Sequence, residues 1–237
     1  MKKIKVFSTA LLATMALGAS AQSNSGTEKD CTPYSRVYVS FNPNTIKYDF
    51  DGDDDESEKL TGFSVGYLYG ISLTQKLPLF LEVGGRFNYS FKKESIAEYE
   101  GYDDDDFNTD FGDFKFKYAS IAAPINLAYK FTTAGGKLDI TPFVGVTAKF
   151  NLLAQSSANL TDEGENYVDE EYYKANFFDK DDVGKDGQWS RFQMGWQIGA
   201  GVTYNKFYLG LHYGGDFGEI AEDTKTSNWG LSLGYSF

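Results

Sequence analysis

The sequence predicts an all-β protein, a closed antiparallel up-and-down transmembrane β-barrel of eight strands. Three observations support this fold class. Apolar and polar residues alternate with a period of two, Tyr and Trp recur near the ends of the alternating stretches, and the connections between those stretches are short and long in turn. A helix could not separate the two sets of side chains, because its period is about 3.6 residues.

The alternating stretches place the strands, and the clearest one runs from residue 189 to residue 204. One of its faces carries Phe192, Met194, Trp196, Ile198, Ala200, Val202 and Tyr204, and the other carries Arg191, Gln193, Gly195, Gln197, Gly199, Gly201 and Thr203. Seven further stretches follow the same rule. The predicted strands are 35–42, 60–73, 79–91, 114–131, 137–153, 189–204, 206–214 and 227–237.

The predicted strand 114–131 contains an irregularity. Its apolar residues change parity near Ala119, from Phe114, Phe116 and Tyr118 to Ile121, Ile125, Leu127 and Tyr129. A β-bulge inserts one extra residue and moves the side chains that follow to the other face. We therefore expect a β-bulge near Ala119 that keeps the apolar residues on one outward face.

The connections between the strands alternate in length. The short ones are 74–78, 132–136 and the neighbourhood of Asn205, and the long ones are 43–59, 92–113, 154–188 and 215–226. Short periplasmic turns and long extracellular loops are typical of bacterial outer-membrane barrels with an even number of strands. Both chain termini then fall on the periplasmic side.

A soluble β-sandwich or lipocalin-like barrel would show the same alternation with its faces reversed. Here the polar face is rich in Gly, Ser, Thr, Asn, Gln and charged residues, which would make a poor soluble core. The predicted strands reach 18 residues, whereas strands of soluble sheets usually have about 5 or 6. Both observations favour the membrane barrel.

The N-terminal segment predicts export. Residues 1–21 read as a secretory signal peptide, with three lysines, a short apolar stretch and the small-residue site Ala19-Ser20-Ala21. A membrane anchor would need a longer apolar stretch. We expect residues 22–34 to form a mobile periplasmic tail and residues 35–237 to form the barrel domain. Cys31 is the only cysteine, so an intramolecular disulfide is impossible.

The charge of the chain is concentrated in the long connections. The chain has 22 basic and 34 acidic residues, a net charge of −12, which argues against nucleic-acid binding because phosphate neutralisation needs Lys and Arg. The four long connections hold 30 acidic and eight basic residues, a net charge of −22. The sequence therefore predicts a solvated acidic fringe.

Binding of a divalent cation is the alternative function of these acids, because clustered carboxylates are hard oxygen ligands. The candidate ligands are Asp51, Asp53, Asp54 and Asp55 in one connection and Asp103, Asp104, Asp105 and Asp106 in the next. The first cluster does not match an EF-hand loop, since Asp54 stands where such a loop requires glycine.

The polar face predicts a charge network inside the barrel. Its members are Arg36, Glu82, Arg86, Lys117, Asp139, Lys149, Arg191 and His212, and Lys115 has the same parity as Lys117. An eight-stranded interior is just wide enough for side chains, and charges there must be paired or hydrated. Glu82 and Arg86 are about 13 Å apart along one strand, so each needs a partner from another strand. We expect ion pairs that close the lumen; an anion-attracting lumen is the alternative.

Catalysis is not indicated. His212 is the only histidine, and we expect it in the lumen as a member of the network, since general-base chemistry would need Ser or Asp beside it. The sequence contains no nucleophile elbow, phosphate-binding loop, zinc ligand set or dinucleotide fingerprint. We therefore expect no enzymatic activity and no cofactor.

Several segments resemble those of the PorT-like outer-membrane β-barrel family. They are Tyr118–Phe131, Thr141–Val146, Met194–Tyr204, Phe207–Gly214 and Gly230–Phe237. The resemblance implies a small closed antiparallel barrel in the outer membrane, and family members take part in protein secretion or have no assigned role. It also implies that Tyr235 and the terminal Phe237 form the signal that the barrel-assembly machinery recognises.

Together these observations predict a non-enzymatic, integral outer-membrane barrel with a structural, adhesive or envelope-assembly role. Its surroundings would be outer-membrane lipid and lipopolysaccharide, and its extracellular partner is unknown. A narrow channel for small solutes and an accessory component of a protein secretion apparatus are the two alternatives.

Overall fold

Eleven strands form one antiparallel sheet in the part of the chain that the computed structural model describes, residues 30–48, 56–100, 108–133, 137–164 and 167–237. The predicted signal peptide lies outside these residues. The strands are β1 Tyr34–Phe41, β2 Asn44–Tyr48, β3 Glu56–Ser72, β4 Leu79–Glu100, β5 Asn108–Tyr129, β6 Phe131–Thr132, β7 Leu138–Gly164, β8 Tyr167–Asn176, β9 Phe192–Tyr204, β10 Phe207–Asp216 and β11 Thr224–Ser236. One short helix, α1, spans Lys180–Val183. None of the helical structure in the described ranges is long and apolar enough to cross a membrane.

The sheet closes into a ring of eight strand positions. Strand β1 pairs with β11 on one side and with β3 on the other, and the remaining neighbours follow chain order through β4, β5, β7, β9 and β10. Strand β2 continues the line of β1 and pairs with the same two neighbours. The break between β1 and β2 falls at Asn42 and Pro43, where proline has no N–H for the ladder. The predicted eight-stranded antiparallel barrel is confirmed.

The two ends of the barrel differ. We call the end that holds both termini the turn end, because β3–β4, β5–β7 and β9–β10 connect there through few residues. The β9–β10 turn is the tightest, with positive φ at Asn205 (47°) and Lys206 (80°), the geometry of a two-residue hairpin turn that matches the twist of its strands. We call the opposite end the far end.

All eight predicted strands are present, but β4, β5 and β7 are much longer than predicted, and β2, β8 and the two-residue β6 were not predicted. Strands β4, β5 and β7 continue into the predicted loops 92–113 and 154–188, β8 lies within the second of these, and β2 lies within the predicted loop 43–59. Where a sheet has water on both faces it does not need an apolar side. Its sequence therefore loses the alternation by which strands are recognised.

The irregularity predicted near Ala119 has a different origin. Strand β5 keeps one parity from Phe116 to Ala128, and the even-numbered residues of this stretch, including Phe116 and Tyr118, point inward and are buried. The register shift faces the Ala119/Ser120 step, but the extra residue is Leu152 in β7. The prediction of a bulge in β5 is wrong because Phe116 and Tyr118 fill the interior instead of facing outward.

The outward face of the ring is a continuous apolar surface. Exposed members include Val37, Val39, Phe63, Val65, Phe87, Ile121, Ile125, Val146, Phe150, Val202, Leu209, Leu211, Leu231 and Leu233. A soluble protein rarely leaves so large an apolar patch in water. The surface instead has the character of the lipid-facing band of a membrane barrel.

Inward-facing glycines make room for aromatic rings in the narrow interior. Tyr208 lies against Gly201 and Gly210, and a Cβ added at Gly201 would stand 2.1 Å from the Tyr208 ring. Tyr38 lies against Gly66 in the same way. Each ring thus occupies the space that a side chain on the neighbouring strand would take.

We expect Gly201→Val to destabilise the barrel by about 1–3 kcal/mol, because an overpacked interior must shift the Tyr208 ring. The measurement is the free energy of guanidinium unfolding in lipid vesicles. Gly85→Val is the matched control, since Gly85 faces outward and a Cβ there meets nothing within 4 Å. Equal losses in the two variants would contradict the packing argument.

Candidate functional site

The interior near the turn end is organised around Glu82, whose side chain has 0% exposure. Oε1 accepts hydrogen bonds from the Tyr34 hydroxyl at 2.7 Å and from Arg36 Nη1 at 3.3 Å. Oε2 accepts a hydrogen bond from Asn126 Nδ2 at 3.0 Å. Gln197 Nε2 in turn donates a hydrogen bond to Asn126 Oδ1 at 2.6 Å. These hydrogen bonds connect side chains of four strands, β1, β4, β5 and β9. We call these residues the Glu82 cluster.

Arg36 has a second partner. Its guanidinium carbon lies 3.7 Å from the centre of the Tyr208 ring, and a cation over an aromatic face is stabilised most where water is excluded. Arg36 is therefore held between a carboxylate and a ring. The side chains of this layer fill the barrel near the turn end.

The middle of the interior holds Arg86 and His212. Arg86 Nη1 is 3.3 Å from His212 Nε2, and because Arg can only donate, Nε2 acts as an acceptor and the imidazole is neutral. The His212 ring also occupies the space beside Gly230. Within the described ranges, no carboxylate or hydroxyl is hydrogen-bonded to this ring, so the arrangement lacks the orienting partner of a general base.

The interior toward the far end holds a second ion pair. Lys149 Nζ donates to both carboxylate oxygens of Asp216 at 2.9 Å and to Thr226 Oγ1 at 3.2 Å. Thr226 in turn donates to Asp216. Asp216 was missing from the predicted network because the sequence places it in a connection, whereas it ends β10. Residues an even number of positions apart on a strand face the same side, so Asp216, four residues after His212, could have been predicted to face inward.

An aromatic cluster closes the far end. Trp189 is 4% exposed, and its ring centre lies 5.7 Å from those of Phe116 and Tyr118 and 5.1 Å from that of Phe177. Ile220 and Ile46 complete the packing. The Trp189 amide also donates to the Phe177 carbonyl at 2.7 Å, which fixes the segment that follows α1. The barrel is therefore capped at the far end and filled at the turn end.

The structure brings five members of the predicted network into the interior, places Asp139 beside Arg36 at the turn-end mouth of the barrel, and leaves two members outside. Arg36 with Glu82, Arg86 with His212, and Lys149 form separate layers rather than one network. Asp139 lies near the turn end and accepts a hydrogen bond from Thr132 Oγ1 at 2.7 Å.

The prediction is wrong for Lys117 and Arg191. Lys117 is exposed on the outward face, as is Lys115, because the inward positions of this stretch belong to Phe116 and Tyr118. Arg191 precedes β9, is exposed, and lies 4.2 Å from the centre of the Phe178 ring.

The predicted cation ligands are eight aspartates in two connections. Asp51, Asp53, Asp54 and Asp55, like Asp103, Asp104, Asp105 and Asp106, all lie outside the described residues. Among the residues that are described, no group of three or more His, Cys, Asp or Glu is arranged to hold a metal ion.

The described part of the predicted N-terminal tail contacts the turn end. Lys130 Nζ donates to Asp30 at 2.6 Å, and the Cys31 thiol is 3.6 Å from the Gln75 carbonyl oxygen. Partial burial alone would raise the pKa of Asp30, but the hydrogen bonds from Lys130 and Thr32 outweigh it, so this pKa lies below its usual value. From Asp30 onward, the tail is attached to the barrel rather than mobile.

Three strands of the ring, β4, β5 and β7, continue past it at the far end, and β8 is added to them. The pairing of β3 with β4 stops at Thr61 and Phe91, whereas β4 pairs with β5 to Glu100, and β5 pairs with β7 to Thr109. Strand β8 adds to β7 alone. We call residues 92–100, 108–117, 154–164 and 167–176 the projecting sheet; its outer edges are β4 and β8.

The surroundings of the projecting sheet are acidic. Residues 92–113 contain nine acidic and two basic residues, and residues 154–188 contain ten acidic and three basic. Exposed ion pairs such as Lys93 with Asp113 at 3.0 Å contribute little stability. Repulsion from the Asp186 carboxylate raises the pKa of Glu222 nearby. The far end thus carries strong negative charge around open strand edges.

Comparison with known proteins gives one family. The profile of the family described as outer membrane protein beta-barrel domain matches residues 9–237. No curated protein matches the chain.

Three solved structures that resemble the chain are distant from it in sequence. The attachment invasion locus protein Ail of Yersinia pestis, in complex with the heparin analogue sucrose octasulfate, is 16% identical, with 86% of this chain and 99% of that chain covered and a TM-score of 0.42. Neisserial surface protein A is 12% identical, with 86% and 97% covered and a TM-score of 0.40. The N-terminal barrel domain of OprF from Pseudomonas aeruginosa is 16% identical, with 85% and 97% covered and a TM-score of 0.26.

We expect Glu82→Leu to destabilise the barrel by about 3–5 kcal/mol, because it leaves the Arg36 guanidinium buried without a counter-charge. The double variant Arg36→Met/Glu82→Leu should lose less, since no unpaired charge remains. Guanidinium unfolding in lipid vesicles measures both. Lys93→Met, in an exposed pair, is the control and should change stability by less than about 1 kcal/mol. A double variant less stable than Glu82→Leu would contradict this account of the Glu82 cluster.

Proposed function

Because the chain belongs to the outer membrane protein beta-barrel domain family, we propose that it is a non-enzymatic barrel of the outer membrane that presents the projecting sheet as an adhesive surface. The outer-membrane location is that of the family, and the apolar outward face of the ring suits it. Partners in this setting are outer-membrane lipid and lipopolysaccharide. The open edges of the projecting sheet and the negative charge around them support the adhesive role.

The open edges of the projecting sheet carry the proposal. Among the described residues, β8 pairs with β7 only, and β4 beyond Phe91 pairs with β5 only, so each strand presents a row of backbone N–H and C=O groups to which another chain can add. An extended segment can add to such an edge through main-chain hydrogen bonds. The negative charge around the edges favours a basic partner, because complementary charge steers association and fixes register.

We place the turn end in the periplasm and the far end outside the cell. Long strands and acidic connections at one end, and short turns with both termini at the other, support this orientation. Tyr235 and Phe237 stack at 6.4 Å and point outward at the turn end, with Phe237 62% exposed. Exposed aromatic residues at the last strand suit the proposed recognition by the barrel-assembly machinery.

The filled interior argues against the alternative of a solute channel. The Glu82 cluster occupies the turn end, Trp189 and its neighbours occupy the far end, and the two cavities between them have volumes of about 40 and 20 Å³. Arg86 and Gln197 line both cavities and separate them. We infer that the lumen does not conduct.

The PorT-like branch is a finer proposal, supported by segments such as Tyr118–Phe131 and Gly230–Phe237. An accessory role in protein secretion would follow from that branch. Crosslinking in native membranes tests it, because a secretion partner should be recovered with the turn end or the far end of the barrel.

We expect the purified protein to give no discrete conductance steps in planar bilayers, because side chains fill both ends of the lumen. Insertion is checked independently by slower gel mobility after boiling, the behaviour of a closed barrel that is unfolded by heat. Regular single-channel steps from a sample that passes this check would contradict the closed lumen.

The adhesive role is tested with vesicles that carry the protein and are applied to polylysine-coated surfaces. A shortened variant replaces residues 94–114 and residues 157–174 with Asn-Gly, which joins strands at the paired positions Lys93–Lys115 and Ser156–Ala175 through two-residue turns. We expect the barrel to fold and vesicle retention to fall at least several-fold, because both the edges and their charge are removed.

The control for this experiment removes acidic residues elsewhere at the far end. Glu219→Gln/Glu222→Gln/Asp223→Asn loses three negative charges outside the projecting sheet and should retain most of the binding. Retention that survives removal of the sheet, or that falls equally in the control, would show that the sheet is not the adhesive surface.

A further inference from the structure

Arg86 is the buried cation whose charge the barrel leaves without a counter-ion. The interior layers hold three cations, Arg36, Arg86 and Lys149; Arg36 pairs with Glu82 at 3.3 Å and Lys149 pairs with Asp216 at 2.9 Å. Arg86 is 8% exposed, and within the described ranges no carboxylate lies at ion-pair distance from it.

The groups that do contact Arg86 are neutral. His212 Nε2 accepts a hydrogen bond from Nη1, and the side chain of Tyr38 lines the same cavity as Arg86 and His212. Nε has no hydrogen-bond partner although it is buried. An unpaired charge away from water is unfavourable unless an ion or a charged group accompanies it.

A cavity of about 40 Å³ adjoins Arg86, and its wall contains hydrogen-bond donors together with the Asp216 carboxylate that pairs with Lys149. Arg86, Asn88, Ser120, Thr147 and Lys149 contribute to its wall. Two of the buried polar atoms without a partner belong to this wall, Thr147 Oγ1 and Asn88 Oδ1. Lys149 adds a second positive charge, although its ammonium is already paired with Asp216.

The Asn88 side chain can serve as a further donor. Its Nδ2 now donates to Ser120 Oγ at 3.1 Å while Oδ1 has no partner. The amide oxygen and nitrogen are assigned from the hydrogen-bond network, and exchanging them lets the Ser120 hydroxyl donate to Oδ1. The amide N–H groups then point where the unpartnered oxygen stood.

We propose that this cavity binds a single small monovalent inorganic anion of the chloride class. A water molecule needs about 10–15 Å³ of such a cavity, so the space admits one halide ion with a water molecule. One unpaired guanidinium matches a single negative charge. The anion completes the charge balance of the interior and accepts hydrogen bonds from Arg86 and Thr147. The site lies between the Glu82 cluster and the aromatic cluster, is independent of the adhesive role, and implies no conduction.

Bromide is the probe that tests the site, because it substitutes for chloride and scatters anomalously. Crystals of the full-length mature protein grown in sodium bromide should show an anomalous peak in contact with Arg86. Density that contains only water there, with no anomalous signal, would overturn the proposal.

A solution measurement separates a bound ion from general salt effects. Unfolding is compared in sodium bromide and in sodium gluconate at equal ionic strength, since gluconate is too large for the cavity. At bromide about tenfold above its dissociation constant, the equilibrium constant for unfolding should fall about tenfold. Arg86→Gln should lose this dependence, because it removes the uncompensated charge.

Lys117→Gln is the matched control, since it removes one positive charge from the exposed outward face and should keep the bromide dependence. The same bromide effect in Arg86→Gln as in the unaltered protein would refute the site. If Arg86→Gln fails to refold, the bromide diffraction of the unaltered protein decides the question alone.

Discussion

A carboxylate that is fully removed from solvent, Glu82, sets the conditions for the rest of the barrel. A charge in this position is tolerated only when donors surround it, and the Glu82 cluster supplies them to this β4 residue from β1 and β5, with Gln197 of β9 in support. These strands are far apart in the sequence and on different sides of the ring. Satisfying one carboxylate therefore fixes the relative positions of strands that do not pair with each other.

The same constraint explains why glycine and aromatic residues alternate across the interior. Rings such as Tyr208 reach across the axis only because their neighbours have no side chain. Each ring brings a polar atom or a cation-binding face to the Glu82 cluster while filling volume. The interior of this barrel is thus packed densely by large polar side chains, whereas the apolar residues that would fill a soluble core face outward.

The ring itself could be predicted from the sequence because lipid on one side and a polar lumen on the other impose strict alternation. That rule fails in two places. Inside the far end, Phe116 and Tyr118 pack around Trp189, so apolar residues face inward and Lys117 faces outward. Beyond the ring, β8 and the ends of β4, β5 and β7 are not required to have an apolar face. There the sequence resembles a loop although it pairs as a sheet.

The closure of the ring has a consequence for how the chain reaches its native state. Strand β1 pairs with β11, so Ser35 exchanges both backbone hydrogen bonds with Phe237, the last residue of the chain. Joining positions some 200 residues apart carries a large entropic cost, and such contacts form late. Until the final strand arrives, the partial sheet has two open edges. The ring therefore cannot close before β11 has been made, and until then the chain must be kept from pairing with its neighbours on the way to the membrane.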